Sequence, residues 1–318
     1  MKRKLLWQLP FLAFLVVGTI LIVRQQRSMP YQHDSGFIFG TVYNITYQSD
    51  KNLKAEIEAE LAKVDNEFSM FNERSTVARI NRGEKVATSA MYQEVLKLAQ
   101  AVNSDTDGAF DVTVAPLVNA WGFGFKHAQM PTPRQVDSLL KIRNQYDFSA
   151  IAKGYGSDVV ARLLRQHDIQ NFMVEIGGEV VTQGISERRL PWRIGVTKPT
   201  DDSLSTNSEL QTVLNITDVA MATSGNYRNF YYKDGRKYAH TIDPKTGHPV
   251  QHNILSATVL TNKCARADAY ATAFMVMGLD KAKEVLRRNP DLMAYIIYDD
   301  HGQNKVWYSS SLKSKILE

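Results

Sequence analysis

Apolar residues recur along this chain with two periods, and the two are mixed without a regular strand–helix–strand alternation. Helical spacing appears at Leu53, Ile57, Leu61, Val64 and Phe68 within 52–71. It returns from Ser89 to about Asn103, closed by the turn at Asp105 to Gly108. Pro131 to Ile142 predicts a short helix with Thr132 as cap before Pro133. Gly154 to His167, Cys264 to Met277 and Asp280 to Arg288 predict three more. Phe37 to Tyr47 alternates as a strand does. Short β-rich runs follow at 172–176, 180–184, 192–196, 211–216, 238–242 and 254–260, with a late one at 293–298. Asp201 to Glu209 reads as a surface loop. This mixture predicts an α+β fold, as one large domain or two intimate subdomains, rather than a doubly wound sheet. No G-x-G-x-x-G and no Walker lysine motif is present, so the usual nucleotide cradles are excluded.

The charge is unevenly placed. Five of the 38 basic residues (Lys2, Arg3, Lys4, Arg24 and Arg27) precede residue 28, where no acidic residue occurs. The remainder is formally neutral, so the basic balance marks the flanks of an apolar segment and argues against a nucleic-acid partner. Leu5 to Val23 is almost wholly apolar, long enough for a signal peptide or a single membrane span. No small-residue cleavage pattern follows, and the only cysteine, Cys264, is far away, so lipidation at this end is excluded. Residues 1–28 are therefore expected to be an uncleaved anchor, 29–36 a linker and 37–318 the functional body. Three basic residues and the amino terminus before the span, against two after it, favour a cytoplasmic N-terminus. That orientation implies inner-membrane attachment with the body on the periplasmic side. One cysteine allows no internal disulfide and leaves the redox compartment open.

Four segments carry chemistry. In ADAYATA (267–273), Asp268 and Thr272 stand one helical turn apart on one face, with alanines clearing the space around them. Such oxygens suit a hard cation that takes its remaining ligands from phosphate or water. The same spacing also occurs in a packing helix whose Thr bonds back to a carbonyl. In HTIDPKTGHPV (240–250), His240 and Asp243 fall where a strand meets a turn built by Pro244, Gly247 and Pro249. His240 is a natural proton acceptor, although both side chains could simply satisfy turn amides.

TDGAFDVTVAPLVNAWGFG (106–124) combines Gly108, Gly122 and Gly124 with Phe110, Trp121 and Phe123, a composition suited to wrapping a flat aromatic ligand or to an aromatic core turn. Asp111 is charged amid apolar neighbours and needs a partner: an amide, a base edge or a cation. DFSAIAKGYG (147–156) sets Asp147 and Lys153 at a helix start, where amides and an ammonium favour phosphate. VEIGGEV (174–180) and ATSGNYRN (222–229) add glycine turns.

Taken in order, FGT, FSMFN with Ser75, DGAFDVTVAPLVNAWGFG, DFSAIAKGYG, VEIGG, WRIGV, ATSGNYRN, HTIDPKTGHPV and ADAYATA resemble the ApbE family of FAD:protein FMN transferases. The resemblance spans roughly Phe37 to Ser309. It implies an α+β fold that binds FAD, uses Mg²⁺ and joins FMN by a phosphoester bond to Thr or Ser of partner proteins, releasing AMP. Carried over by motif, the metal would meet Asp268 and Thr272, with Ala150 and Ala271 alongside. FAD would meet Phe39, Phe71, Ala109, Phe110, Asp111, Asp147, Lys153 and Ile242. Phe39 departs from the family, which usually has Met there; either side chain can pack on a flavin or adenine face. His240 is expected to take the acceptor's proton, with Asp243 supporting the local geometry. The implied partners are acceptor proteins with a flavinylation motif, such as membrane redox subunits. Two other activities fit the same segments: hydrolysis of FAD to FMN and AMP, and flavin binding without catalysis.

Overall fold

The computed structural model describes residues 2–123, 130–199, 209–226, 230–233, 236–251 and 253–317. Gly124, residues 227–229 and the loop from Asp201 to Ser208, all named above, lie outside them. The first half holds α1 (Lys2–Ser28), β1 (Tyr31–Ile38), β2 (Thr41–Gln48), α2 (Lys54–Phe68), α3 (Thr76–Asn81), α4 (Ala90–Asp105), α5 (Ala115–Ala120), α6 (Pro133–Leu139) and α7 (Ser149–Gln166). Then come β3 (Phe172–Ile176), β4 (Glu179–Gln183), β5 (Trp192–Thr197), β6 (Leu210–Ile216), β7 (Ala220–Gly225), β8 (Phe230–Lys233) and β9 (Arg236–Ala239). The chain continues through β10 (Ile254–Thr261), α8 (Cys264–Met277), α9 (Leu279–Arg288), β11 (Met293–Asp300), β12 (Gln303–Tyr308) and β13 (Ile316–Leu317). The fold is α+β.

Its frame is an eight-stranded antiparallel sheet in the order β1-β2-β3-β4-β7-β10-β11-β12. Alternation along each strand divides its two faces. Phe172, Val174 and Ile176 of β3 point into a core shared with α2 and α7, while Ala257 and Val259 of β10 pack under α8. The opposite face, through Val180, Met221, Leu260 and Ile297, packs on a smaller sheet ordered β13-β6-β5. Burial on both faces explains why several strands read as continuous apolar runs.

Local signals set most boundaries. Ser89 caps α4 by accepting from Tyr92 N, and Thr132 with Gln135 forms a capping box on α6. Phe148, wholly buried against Phe68 and Tyr92 at ring distances of 5.1 and 5.5 Å, pins the entry to α7. That helix starts before the predicted Gly154, with a distortion at Ala150 (φ −90°, ψ 16°).

Three expectations are corrected. The single strand predicted at 37–47 is a hairpin, turned by Phe39 (φ 51°) and Gly40 (φ 74°), the doubly positive turn that matches strand twist. The segment read as a linker is largely β1, whose Asp34 is buried and accepts from Tyr47 Oη at 2.8 Å. The strand predicted at 238–242 ends at Ala239, and Ile242 makes only an isolated bridge to Pro249. At the amino terminus, α1 exposes Phe11, Phe14, Leu21 and Ile22, among others. Among the described residues no helix is long and apolar enough to cross a membrane, and side chains 2–9 and 25–28 of the expected anchor lie outside that description.

Candidate active site

A glycine decides the geometry of the site. A Cβ on Gly154 would lie 2.5 Å from the Cys264 carbonyl oxygen, so α7 and α8 can cross this closely only because none is there. The close crossing lets Gly154 N donate to Asp268 Oδ2 at 3.2 Å. Asp158, one turn further along α7, holds the start of α8: Oδ1 accepts from Cys264 N at 2.8 Å and Oδ2 from Ala265 N at 3.0 Å. The first turn of one helix is thus capped by a carboxylate of the other.

Lys153 projects beside this crossing and pairs with Glu179, the first residue of β4. Burial opposes the ammonium, yet Glu179 and Asp268 hold it above the usual lysine range. Burial raises the Glu179 carboxyl to about 7 against the pull of Lys153, and it also raises Asp268. Two buried carboxylates therefore share one lysine, and Glu179 Oε2 has no hydrogen-bond partner. One turn beyond Asp268, the Thr272 and Ser224 hydroxyls meet at 3.0 Å.

These groups form one end of a cavity of about 860 Å³. Phe110, Ala109, Ile242 and His240 continue its wall, and Phe71, 76% exposed, stands at the rim. His240 also meets the Phe123 ring edge-on at 6.5 Å between centroids. Asp111 finds two of the partners its surroundings demanded: Oδ1 accepts from Thr113 N at 2.8 Å, and Oδ2 pairs with Arg143 at 2.9 Å. Asp147 accepts from Ser149 N at 2.8 Å, fixing the bend into α7.

Most sequence-predicted residues therefore converge: Phe71, Ala109, Phe110, Asp111, Asp147 and Ala150 line the cavity, as do Lys153, His240, Ile242, Asp268 and Thr272. Three do not. Phe39 packs on α7, where a Cβ at Gly156 would lie 2.7 Å from its ring. Ala271 is wholly buried in the core and does not reach the cavity. Asp243 accepts from Lys245 N at 2.8 Å and Thr246 Oγ1 at 3.1 Å, closing the 243–248 turn and facing a second, smaller cavity. The sequence reading missed Glu179 and Ser224. Both lay inside segments noted for their glycines, and the visible signal was an acidic residue directly after Gly177–Gly178 at the start of a strand.

The donor set is all oxygen plus one ammonium. Among the described residues no group of three or more His, Cys, Asp or Glu could hold a metal ion. A cation here would draw on Asp268, hydroxyl and backbone oxygens and the oxygens of a bound phosphate, a set that fits a hard divalent ion. The unpartnered Glu179 oxygen and the excess of carboxylate over lysine agree with that fit.

Comparison with known proteins shows the family. Residues 39–297 match the ApbE family. The chain is 36% identical to the FAD:protein FMN transferase of Vibrio cholerae serotype O1, over 94% of this chain and 96% of that one. It is 34% identical to the enzyme of the same name from Escherichia coli strain K12, over 87% and 85%. Among solved structures, the flavin transferase ApbE from Vibrio cholerae aligns with a TM-score of 0.81 at 35% identity, covering 90% of this chain and 99% of that one. The ApbE protein of Thermotoga maritima gives 0.77 at 29% identity, covering 91% and 100%. The chain belongs to the ApbE family of flavin transferases.

Proposed function

We propose that this enzyme transfers FMN from FAD to a threonine or serine hydroxyl of an acceptor protein, with release of AMP and dependence on Mg²⁺. The carrying observation is the convergence of Lys153, Asp268, Thr272 and His240 in one cavity that also presents Phe110 and Phe71. The aromatic side chains suit the flat rings of FAD, and the charged end suits its pyrophosphate. The names of the relatives support the flavin chemistry.

In this reading the acceptor hydroxyl oxygen attacks the FMN-side phosphorus. The bond from that phosphorus to the bridging oxygen breaks, and AMP departs with the electron pair. Phosphoryl transfer of this kind needs positioning and charge neutralisation more than covalent help. Lys153 neutralises phosphate charge, and Glu179 holds its ammonium in place. Asp268 and Thr272 would hold Mg²⁺, which when bound supplies further neutralisation at the phosphates. His240 takes the acceptor's proton. The apolar α1 side chains support membrane attachment with an exported body, which would place the acceptors among membrane redox proteins.

The test is intact-mass measurement of an acceptor after incubation with FAD and Mg²⁺. Wild type adds one FMN and releases AMP; Asp268→Ala does not. FMN release with no mass gain on any acceptor would assign the site to hydrolysis instead.

A further inference from the structure

Two hydroxyls stand side by side at the charged end of the cavity, one from a strand and one from a helix. Strand alternation puts Ala220, Ala222 and Ser224 of β7 on the face towards α7 and α8, and Met221 and Thr223 on the other. Ser224 is the polar member of its face, and its oxygen lies 3.0 Å from that of Thr272. Thr223, on the opposite face, meets the Thr258 hydroxyl at 2.8 Å. A threonine in an ordinary packing helix turns its hydroxyl back to the carbonyl four residues earlier. Thr272 turns across to β7 instead, and among the described residues each hydroxyl has the other as its partner.

Two hydroxyls carry two protons and four lone pairs, and one mutual bond uses one of each. Three lone pairs and a proton remain, on side chains that border the cavity together with Asp268. Their separation fits a hard cation. Mg²⁺ holds its oxygens at about 2.1 Å and at right angles, so neighbouring ligands lie about 3.0 Å apart. The Ser224 and Thr272 oxygens already stand at that separation. Bonds between hydroxyls are usually shorter, about 2.7–2.8 Å, as the Thr223–Thr258 pair is.

We propose that Ser224 is a further ligand of the cation site, binding Mg²⁺ through Oγ beside Thr272 Oγ1, with Asp268 supplying the charge. This rests on the reading that Mg²⁺ is held at this end of the cavity. Asp268 and Thr272 come from α8 and Ser224 from β7, so the site joins the helix to the sheet. Two neutral hydroxyls and one carboxylate leave a divalent ion with net positive charge, which suits phosphate oxygens at its remaining positions. Once both oxygens face the ion, their mutual bond is given up. Each hydroxyl proton is then available to a phosphate oxygen of the substrate.

The experiment uses the full-length protein in detergent, with Mn²⁺ as the hard-cation probe, read from its free-ion EPR signal, and Cd²⁺ as a soft competitor. Asp268→Ala marks the site and should weaken Mn²⁺ binding. Ser224→Ala, which matches the alanines already on that face of β7, should weaken it about tenfold or more, the loss that even an outer-shell partner produces. Ser224→Cys separates ligation from mere support, because a thiolate prefers soft cations. In that variant Mn²⁺ should bind weakly, and Cd²⁺ should displace it at a concentration about tenfold or more below that needed in wild type. The native thiol, Cys264, is wholly buried and common to all variants. Unchanged Mn²⁺ affinity in Ser224→Ala, or no gain for Cd²⁺ in Ser224→Cys, would overturn the proposal and leave the Asp268 site intact. Equal Mn²⁺ binding by wild type and Asp268→Ala would instead remove the Mg²⁺ reading, and this proposal with it.

Discussion

The Gly154 amide donates to Asp268 Oδ2 at 3.2 Å, across a helix crossing too tight for any side chain at residue 154. Helix packing and the placement of Asp268 thus meet at one residue. Gly154→Ala would place a methyl 2.5 Å from a backbone carbonyl, where no rotamer change can relieve it. Urea denaturation should show a loss of about 1–3 kcal/mol, as overpacked cores do. Transfer should fall in molecules that remain folded, since Asp268 moves with α8. A variant as stable and active as wild type would mean that the crossing can relax.

Glu179→Gln tests the lysine clamp. Without the carboxylate, Lys153 keeps its charge but loses its main partner. Removing one member of a wholly buried pair costs roughly 3–5 kcal/mol; Lys153 is 30% exposed, so a smaller loss of about 1–3 kcal/mol is expected. FAD affinity should weaken as the ammonium loses its fixed position, read as a higher KM for FAD. Unchanged stability and KM would show that Lys153 is positioned by other contacts.

Asp158 gives a pH dependence with a definite sign. Burial raises its carboxyl to about 6, outweighing the two amides that favour the charged form. Between the unfolded value near 4 and the folded value the native state holds the extra proton. Stability from this group is therefore greatest below the window and falls as pH rises through it. The difference between wild-type and Asp158→Asn unfolding profiles should slope across this window and be flat above it. A difference curve rising with pH would show that the two amide bonds outweigh burial.

His240→Ala should bind FAD normally and lose transfer by on the order of 100-fold or more, the usual contribution of a positioned base. Full activity in this variant would send the acceptor's proton elsewhere.

Under the proposed attachment, the full-length protein should need detergent for release from membranes, whereas a form lacking residues 2–28 should be found in solution with transfer to a soluble acceptor intact. A truncated protein that still pellets with membranes would place the attachment in the body.

Much of the fold was legible because local physics agrees with the final packing. α8 runs over the predicted residues because its alanine-rich run favours helix, although it is buried on nearly all sides. β3 matches its predicted range because its burial alternates. β7 escaped notice because Ala220, Ala222 and Gly225 have little strand preference; its place in the sheet comes from pairing with β4 and β10. The hairpin at Phe39–Gly40 was hidden for a related reason. Phenylalanine rarely adopts a positive φ, and here its packing on α7 at Gly156 holds it there.

At the site, sequence alone fixed which chemistries were available. Asp268 and Thr272 had to share a helix face, Lys153 had to sit near a helix start, and a charged Asp111 among apolar neighbours had to find a partner. Their meaning stayed open, since each pattern also occurs in ordinary cores. Tertiary structure brought α7, α8, β4 and the 240–250 turn to one cavity. It also gave Asp243 to its own turn, Ala271 to the core, and Glu179 to Lys153. The reason is that spacing along a chain specifies only neighbours within a turn or a strand, whereas the crossing at Gly154 joins residues 114 positions apart.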